Sequence, residues 1–336
     1  MVVANSAARC ISTIVRQSPK HELLSLVIIA VALAFPAALQ AEQFTIFDVP
    51  NSVGTFPQSI NTESEVTGFF VDPNGAAHGF VRASDGTIVS FNANDPVSIN
   101  TKGWTAGTFG NRAFLRSPNG RIKKFSVEKQ VTGATAINDH KQVVGDTTDA
   151  DGVTHGFLRD ADGTITVFNA PGAPQQTIPI ALNKEGVATG FFADGQMEHG
   201  FVRLGDGSLQ TFDPVGSTDT LALSINVRGQ VAGYYVVNDL EAGFLRQANG
   251  KIKTFSMPGA VNGTLAGAIN KDGVIAGSCL DDTTRHGFLR LTDGTFVQFD
   301  VPGATQGTNP VGLNDFNVVA GFFFDSKGGH GFLRTP

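Results

Sequence analysis

A five-residue block, His-Gly-Phe-Leu/Val-Arg, returns along the chain at nearly constant spacing and constrains its fold more than any other feature. A period in the forties is typical of propellers and solenoids, in which each repeat is one small structural unit that packs against its neighbours. The sequence therefore predicts a repeat architecture after residue 42. The central phenylalanine of the block stands at Phe80, Phe114, Phe157, Phe201, Phe244, Phe288 and Phe332.

Each repeat reads as four short strands. The first is rich in small residues and ends in Ile/Leu-Asn, the second contains a glycine seven residues after that Asn, the third is the His-Gly-Phe block, and the fourth ends in an aromatic residue. Asp-Gly or Asn-Gly dipeptides, such as Asp85-Gly86, join the third strand to the fourth and favour tight hairpins. A two-residue loop would place Phe80 opposite Phe91, whereas a bulged three-residue loop would offset the two rings by one position.

The last block is too close to the C-terminus to be followed by its own fourth strand. The missing strand has a match at the other end of the chain, because residues 44–50 (FTIFDVP) resemble residues 296–302 (FVQFDVP). Pairing of the two ends would remove the exposed sheet edges that invite aggregation. We therefore predict an all-β fold, a seven-bladed β-propeller of four-stranded blades over residues 42–336, in which 43–50 supplies the outer strand of the last blade.

Residues 1–41 are predicted to be a signal peptide. Basic residues precede the apolar run Leu23–Leu39, and small residues surround a possible cleavage point after Ala41. An uncleaved anchor is the alternative. Cleavage would make the protein secreted or periplasmic, with no stable membrane insertion, and would leave Cys279 without a partner for an intramolecular disulfide.

Charge and composition limit the possible partners. The formal net charge is -6, and no run of Lys or Arg offers the basic surface that nucleic-acid binding requires. The small residues that precede each Ile/Leu-Asn pair are expected to line a neutral channel, where no carboxylate or histidine cluster could hold a metal. We expect a monomer with no bound cofactor.

The repeats resemble the HAF family of bacterial extracellular repeats, whose signature is a His-Ala-Phe block followed by a short turn and an aromatic strand. The resemblance covers residues 43–336, with His-Gly-Phe in most copies and with Arg112 and Ala242 in place of the histidine in units two and five. It implies export and a propeller-like fold, but it implies no general activity.

The recurring charged side chains of the block are interpreted as structural. Ligands of one ion must meet at one point, whereas these histidines are spread over the repeats, so hydrogen bonds between blades are expected for them. The arginines are expected to pair with carboxylates or carbonyls near the turns. The two sets are His78, His155, His199, His286 and His330, and Arg82, Arg159, Arg203 and Arg290.

The loops between second and third strands are acidic and form the predicted ligand or partner face. Two of them, DPNG (72–75) and DADG (149–152), supply too few oxygens for a full calcium site, which leaves calcium as an alternative to solvated turns. Unit two is ten residues shorter than the others, which predicts a notch on this same face. The predicted face comprises Asp72, Asn74, Asp149, Asp151, Asp194, Asp239, Asp281, Asp282 and Asp325.

No nucleophile or general base has the neighbours that catalysis requires, so no catalytic residue is assigned. The main expectation is an exported, non-catalytic binding or scaffold propeller whose ligand is an unknown protein or glycan. One alternative is an envelope-associated structural or adhesive protein. The other is a glycan-active hydrolase or lyase with a carboxylate pair assembled from the acidic loops, although the phenylalanines are assigned to the core and leave no evident platform for sugars.

Overall fold

The computed structural model describes residues 42–93 and 95–336, so the predicted signal peptide lies outside the described residues. Every regular element of this part of the chain is a β-strand. No helix in these ranges is long and apolar enough to cross a membrane.

The strands follow the sequence repeats. An initial strand, β1 (Gln43–Phe47), is followed by units that are each a set of antiparallel strands in chain order. Unit one is β2 (Gly54–Ile60), β3 (Val66–Val71), β4 (Ala77–Arg82) and β5 (Ile88–Phe91). Unit two is β6 (Asp95–Ile99), β7 (Thr105–Phe109), β8 (Arg112–Arg116) and β9 (Ile122–Phe125). Unit three is β10 (Val131–Ile137), β11 (Val143–Thr148), β12 (Thr154–Arg159) and β13 (Ile165–Phe168).

The remaining units continue this order. Unit four is β14 (Gln176–Leu182), β15 (Ala188–Ala193), β16 (Glu198–Arg203) and β17 (Leu209–Phe212). Unit five is β18 (Asp219–Ile225), β19 (Val231–Val237), β20 (Leu240–Arg246) and β21 (Ile252–Phe255). Unit six is β22 (Thr264–Ile269), β23 (Ile275–Leu280), β24 (Arg285–Arg290) and β25 (Phe296–Phe299). Unit seven has β26 (Thr308–Leu313), β27 (Val319–Asp325) and β28 (Gly328–Thr335).

The fourth strand beside β28 is β1, from the other end of the chain. The two strands pair antiparallel, with Gln43 opposite Thr335 and Phe47 opposite Gly331. Arg334 Nε also donates a hydrogen bond to Glu42 Oε1 at 2.7 Å. The N-terminal strand therefore occupies in unit seven the position that β5 occupies in unit one.

The hairpin of third and fourth strands has the offset register and not the two-residue register. Gly79 lies opposite Phe91, while Phe80 lies opposite Ser90. A Cβ on Gly79 would lie 2.6 Å from the Phe91 ring, so glycine is needed where the aromatic ring crosses the neighbouring strand. The same geometry recurs at Gly200, whose Cβ would meet the Phe212 ring. Of the two registers that the sequence allows, the structure therefore has the offset one, and the two Phe side chains of a hairpin do not lie directly opposite each other.

The phenylalanine of each block packs against the preceding unit. Phe80, Phe157 and Phe201 are completely buried. The Phe201 ring meets the Phe168 ring of unit three at a centroid distance of 6.2 Å, nearly edge-on. Because these contacts join one unit to the next, the core is distributed between the sheets.

A cycle of hydrogen bonds links the seven repeated asparagines at the ends of the first strands. Each Asn side chain donates from Nδ2 to the backbone carbonyl of the asparagine in the following unit, and Asn314 donates to Asn61. The N···O distances along the cycle lie between 2.9 and 3.4 Å. Each Asn Oδ1 also accepts backbone N–H groups of its own turn, as Asn138 does from His140 and Gln142.

Candidate functional site

The first strands line a channel of about 540 Å³. Its lining residues include the small Ser59, Ala136, Ala181 and Gly312, and none of the described lining residues is charged. At one end lie the repeated asparagines. At the other end lie the turns between second and third strands, together with the connections between units; we call this end the loop face.

The channel opens on the loop face through a set of positions that we call the mouth. On each first strand, the mouth includes the residue that lies two positions before the first residue lining the channel. In unit one this residue is Phe56, because the lining begins at Gln58. In each first strand these positions lie on the loop-face side of a β-bulge, which in unit one falls between Pro57 and Ser59, and the channel lining begins at that bulge. The mouth comprises Phe56, Asp95, Gly133, Ile178, Leu221, Leu265 and Asn309, with their cross-strand partners Phe69, Thr108, Asp146, Phe191, Tyr234, Ser278 and Phe322.

Units one and seven contribute an aromatic wall to the mouth, which comprises Phe56, Phe69, Phe322 and Phe324. The Phe56 ring lies 5.0 Å from the Phe69 ring and 5.5 Å from the Phe322 ring, centroid to centroid. All four side chains are partly exposed. Gly329 is required beneath them, since a Cβ there would lie 2.7 Å from the Phe56 ring. The expectation that every phenylalanine column belongs to the core is therefore wrong here.

Beside Tyr234 of the mouth, units four and five form an acidic wall, which comprises Glu198, Asp219, Tyr234 and Glu241. The Glu198 backbone N–H donates to Asp219 Oδ1 at 3.0 Å, which brings the two residues together across adjacent units. Burial, and then the charge of Asp219, raises the pKa of the Glu198 carboxyl. Burial also raises the pKa of Tyr234, and the charges of Glu241, Glu198 and Asp219 add to this effect.

Further polar groups complete the mouth between these walls. Burial raises the pKa of the half-buried Asp146 in unit three. In unit six, Arg285 donates from Nη1 to Ser278 Oγ at 2.8 Å. The mouth therefore combines carboxyl groups that hold their protons more tightly than usual, a phenol, a guanidinium and an aromatic surface.

The predicted ligand-face residues lie on the same loop face, but most of their hydrogen-bonding capacity is used locally. Asp72 Oδ1 accepts the backbone N–H groups of Asn74 and Ala76, and Asp149 Oδ1 accepts those of Asp151 and Val153. Asp194, Asp281 and Asp325 close their turns in the same way. Asp239 and Asp282 are exposed.

The histidines of the blocks bond within their own unit, and not to a neighbouring unit as the sequence interpretation expected. His286 lies between two carboxylates, with Nε2 2.9 Å from Asp281 Oδ2 and Nδ1 2.9 Å from Asp300 Oδ1. His199 and His330 have equivalent pairs of aspartates, and His155 has Asp149 and Asn169. Partial burial disfavours the charged imidazole of His286, but its hydrogen bonds to Asp281 and Asp300 outweigh burial and raise its pKa.

The arginines of the blocks lie over phenylalanine rings of the preceding unit. Arg82 covers the Phe47 ring and Arg203 covers the Phe168 ring, each with Cζ 5.0 Å from the ring centroid. Arg159 and Arg290 make the same contact with Phe125 and Phe255. Arg82 Nη1 also donates to the Ala83 carbonyl at 3.2 Å. A cation over an aromatic face is attracted by the ring quadrupole, so these arginines join adjacent units.

Three other sequence features have clear positions. The second and third strands of the short unit two are joined through Gly110 and Asn111, beside an open cavity of about 450 Å³ that Arg112 and Lys129 help to line.

Cys279 is buried, and burial raises the pKa of its thiol to about 11. Within the described ranges, no group of three or more His, Cys, Asp or Glu side chains is placed to hold a metal ion.

Comparison with solved structures places this arrangement among propellers. A structure described as a streptogramin B lyase matches with 16% identity and a TM-score of 0.61, over 87% of this chain and 97% of the other. Virginiamycin B lyase from Staphylococcus aureus matches with 13% identity and a TM-score of 0.62, over 88% and 99% of the two chains. The β-propeller domain of the trilobed protease from Pyrococcus furiosus, described as having an open velcro topology, matches with 12% identity and a TM-score of 0.59, over 84% and 94%.

No protein-family model and no curated relative matches the sequence. The prediction of an all-β, propeller-like fold is confirmed by the similar solved structures. The same structures correct the expectation of a non-catalytic binding or scaffold protein, because two of them are described as lyases. Identities of 12 to 16% carry the fold and not the reaction, so the chemistry has to come from this chain's own mouth residues.

The sequence interpretation missed the mouth residues, although a signal for them was present. The residue after the repeated glycine of each second strand differs between copies, being aromatic in four of them and polar in three. The differing residues at this one repeat position mark the mouth. They are Phe69, Thr108, Asp146, Phe191, Tyr234, Ser278 and Phe322.

Proposed function

We propose that the protein is a propeller enzyme, a glycan-active hydrolase or lyase that cleaves its substrate at the mouth of the channel. The observation that carries this proposal is the combination of an acidic wall and an aromatic wall around one opening. The similar solved lyases support an enzymatic role for a propeller of this kind.

The acidic wall supports acid–base chemistry. Acid and base roles are divided when the pKa values of two neighbouring carboxyl groups are pushed apart by their surroundings. The raised pKa of Glu198 suits a general acid that protonates the leaving oxygen. Asp219, whose Oδ1 accepts the Glu198 backbone N–H, is its partner in this proposal and acts as the base or the nucleophile.

The aromatic wall supports recognition of a ring-shaped substrate. Phe56, Phe69, Phe322 and Phe324 present connected ring faces and edges to the opening. The apolar face of a sugar ring packs on such surfaces, while its hydroxyl groups need polar partners, which Asn309 and Asp146 offer nearby. The mouth would therefore hold one face of the glycan against Phe side chains and expose its linkage to the carboxyl groups.

We also propose the finer architecture of a closed ring of seven four-stranded blades, exported by residues 1–41. The pairing of β1 with β28 and the hydrogen bond from Asn314 to Asn61 support closure. A closed ring would fix the aromatic wall relative to the acidic wall, because the two come from different units. That rigidity is what a site assembled from several strands requires.

The proposed activity is tested by incubating the protein that begins at residue 42 with a glycan library and analysing products by mass spectrometry. We expect cleavage products with the parent protein, and a loss of roughly a hundredfold or more in Glu198→Gln, because a positioned general acid contributes about 10² to 10⁴ in rate. Asp219→Asn is expected to behave similarly. A matched control is Asp272→Asn, an exposed residue paired with Arg228, which should keep full activity.

Two outcomes would contradict the proposal. One is glycan binding without any product, which would remove the enzymatic role. The other is cleavage that survives in both Glu198→Gln and Asp219→Asn, which would show that the reaction takes place elsewhere on the molecule.

A further inference from the structure

His78 in unit one differs from its counterparts in the other units. The rings of His155, His199, His286 and His330 each contact polar side chains through both nitrogens. Among the described residues, His78 contacts a side chain only through Nε2, which lies 3.0 Å from Asp72 Oδ2. No side chain of the described ranges contacts its Nδ1, the nitrogen that has a partner in the other units.

The other units show which group belongs at that nitrogen. In units four, six and seven it is a carboxylate, from Asp213, Asp300 and Asp48. In unit three it is the amide oxygen of Asn169. The equivalent residue of unit one, one position after the outer Phe91, is Asn92, and no hydrogen bond joins it to His78 within the described part of the chain.

An open cavity of about 470 Å³ lies against His78. Phe70 holds the imidazole from one side, with stacked rings whose centroids are 5.2 Å apart. Pro50, Pro73 and Phe91 supply apolar surface, and Asp72 and His78 are the only titratable residues of the described lining. The cavity therefore combines a fixed imidazole edge with an apolar pocket large enough for a small organic molecule.

We propose that this cavity binds a small carboxylate-bearing molecule, whose carboxylate accepts a hydrogen bond from His78 Nδ1. A protonated imidazole donates from both nitrogens, so Asp72 and the ligand would bracket His78 as Asp281 and Asp300 bracket His286. The site lies outside the mouth and does not depend on the proposed enzymatic activity. Its ligand takes the place of an aspartate that unit one lacks.

The test uses acetate as the probe and the ring resonances of His78, measured by NMR on the protein that begins at residue 42. Acetate is titrated against chloride at equal ionic strength, and His78→Gln assigns the resonances. We expect a saturable shift of the His78 signals with acetate. Acetamide, which has the same shape without the charge, should give a response roughly tenfold weaker.

Asn92→Asp is the decisive variant, because it supplies the missing carboxylate from the chain itself. We expect His78 in this variant to lose its response to acetate. Asn169→Asp makes the same change in unit three and should leave the response of His78 intact. Equal acetate responses in the parent and in Asn92→Asp, or no response in the parent, would overturn the proposal.

Discussion

The third strands of the units and the mouth positions lie in the same sheets, yet they have opposite relations to the sequence repeat. The third strands carry the same side chains in most units, and those side chains are committed to contacts: Phe201 is buried and Arg203 lies over Phe168. The mouth positions carry Phe69, Asp146 and Tyr234 at one equivalent position and remain partly exposed. The side chains that repeat between units hold the fold together, whereas the side chains that vary between units lie at the mouth and are available to contact a ligand.

Removing residues 42–50 tests this comparison at the largest scale. The deletion takes away β1 and leaves β28 as an open sheet edge with unpaired backbone groups. We expect the truncated protein either to aggregate, as measured by light scattering, or to lose its cooperative unfolding transition, as measured by thermal melting. A truncated protein that melts within about a degree or two of the parent would show that β1 is dispensable.

Alanine substitutions at one repeated and one mouth phenylalanine give the next largest effect. Phe201 is completely buried, so Phe201→Ala should destabilise the fold by about 3–5 kcal/mol. Phe322 is partly exposed in the aromatic wall, so Phe322→Ala should cost less than about 2 kcal/mol and weaken activity or glycan binding instead. Chemical denaturation measures both free energies of unfolding. Equal losses of stability would break the distinction between the two regions.

The pH dependence of His286 gives the smallest expected effect. Because its folded pKa is raised above the usual 6.5, the stabilisation it provides is complete below pH 6.5 and is lost as pH rises through the raised value. The lowered pKa of Asp281 matters at acid pH. The stabilisation that its carboxylate provides is lost as pH falls below the usual value of 3.8. The melting temperature of His286→Gln should therefore fall below that of the parent at pH 6 and approach it at alkaline pH. A difference independent of pH would assign the effect of His286 to packing alone.

The sequence was sufficient to predict the units and the strand order, because the Phe-Leu/Val-Arg part of the block and the Asn–Gly spacing recur in every unit. It left two hairpin registers open, and the structure has the offset one, in which the ring of Phe91 lies opposite Gly79, a residue without Cβ. It failed at the mouth. Glu198 stands directly before the block histidine His199 and Asp219 begins the first strand of the next unit, and only the packing of unit four against unit five brings them into contact.

The paired ends of the chain have a consequence for how this fold can be rearranged. Gln43 lies opposite Thr335, so the first and last described strands run side by side. A short linker could join them, and new termini could then be opened in the connection between any two units. The same hydrogen bond joins units that are consecutive in the chain and units that are not: Asn314 donates to the Asn61 carbonyl just as Asn61 donates to the Asn100 carbonyl. The molecule is in this respect suited to circular permutation, in which the order of the units is kept and only the starting point changes.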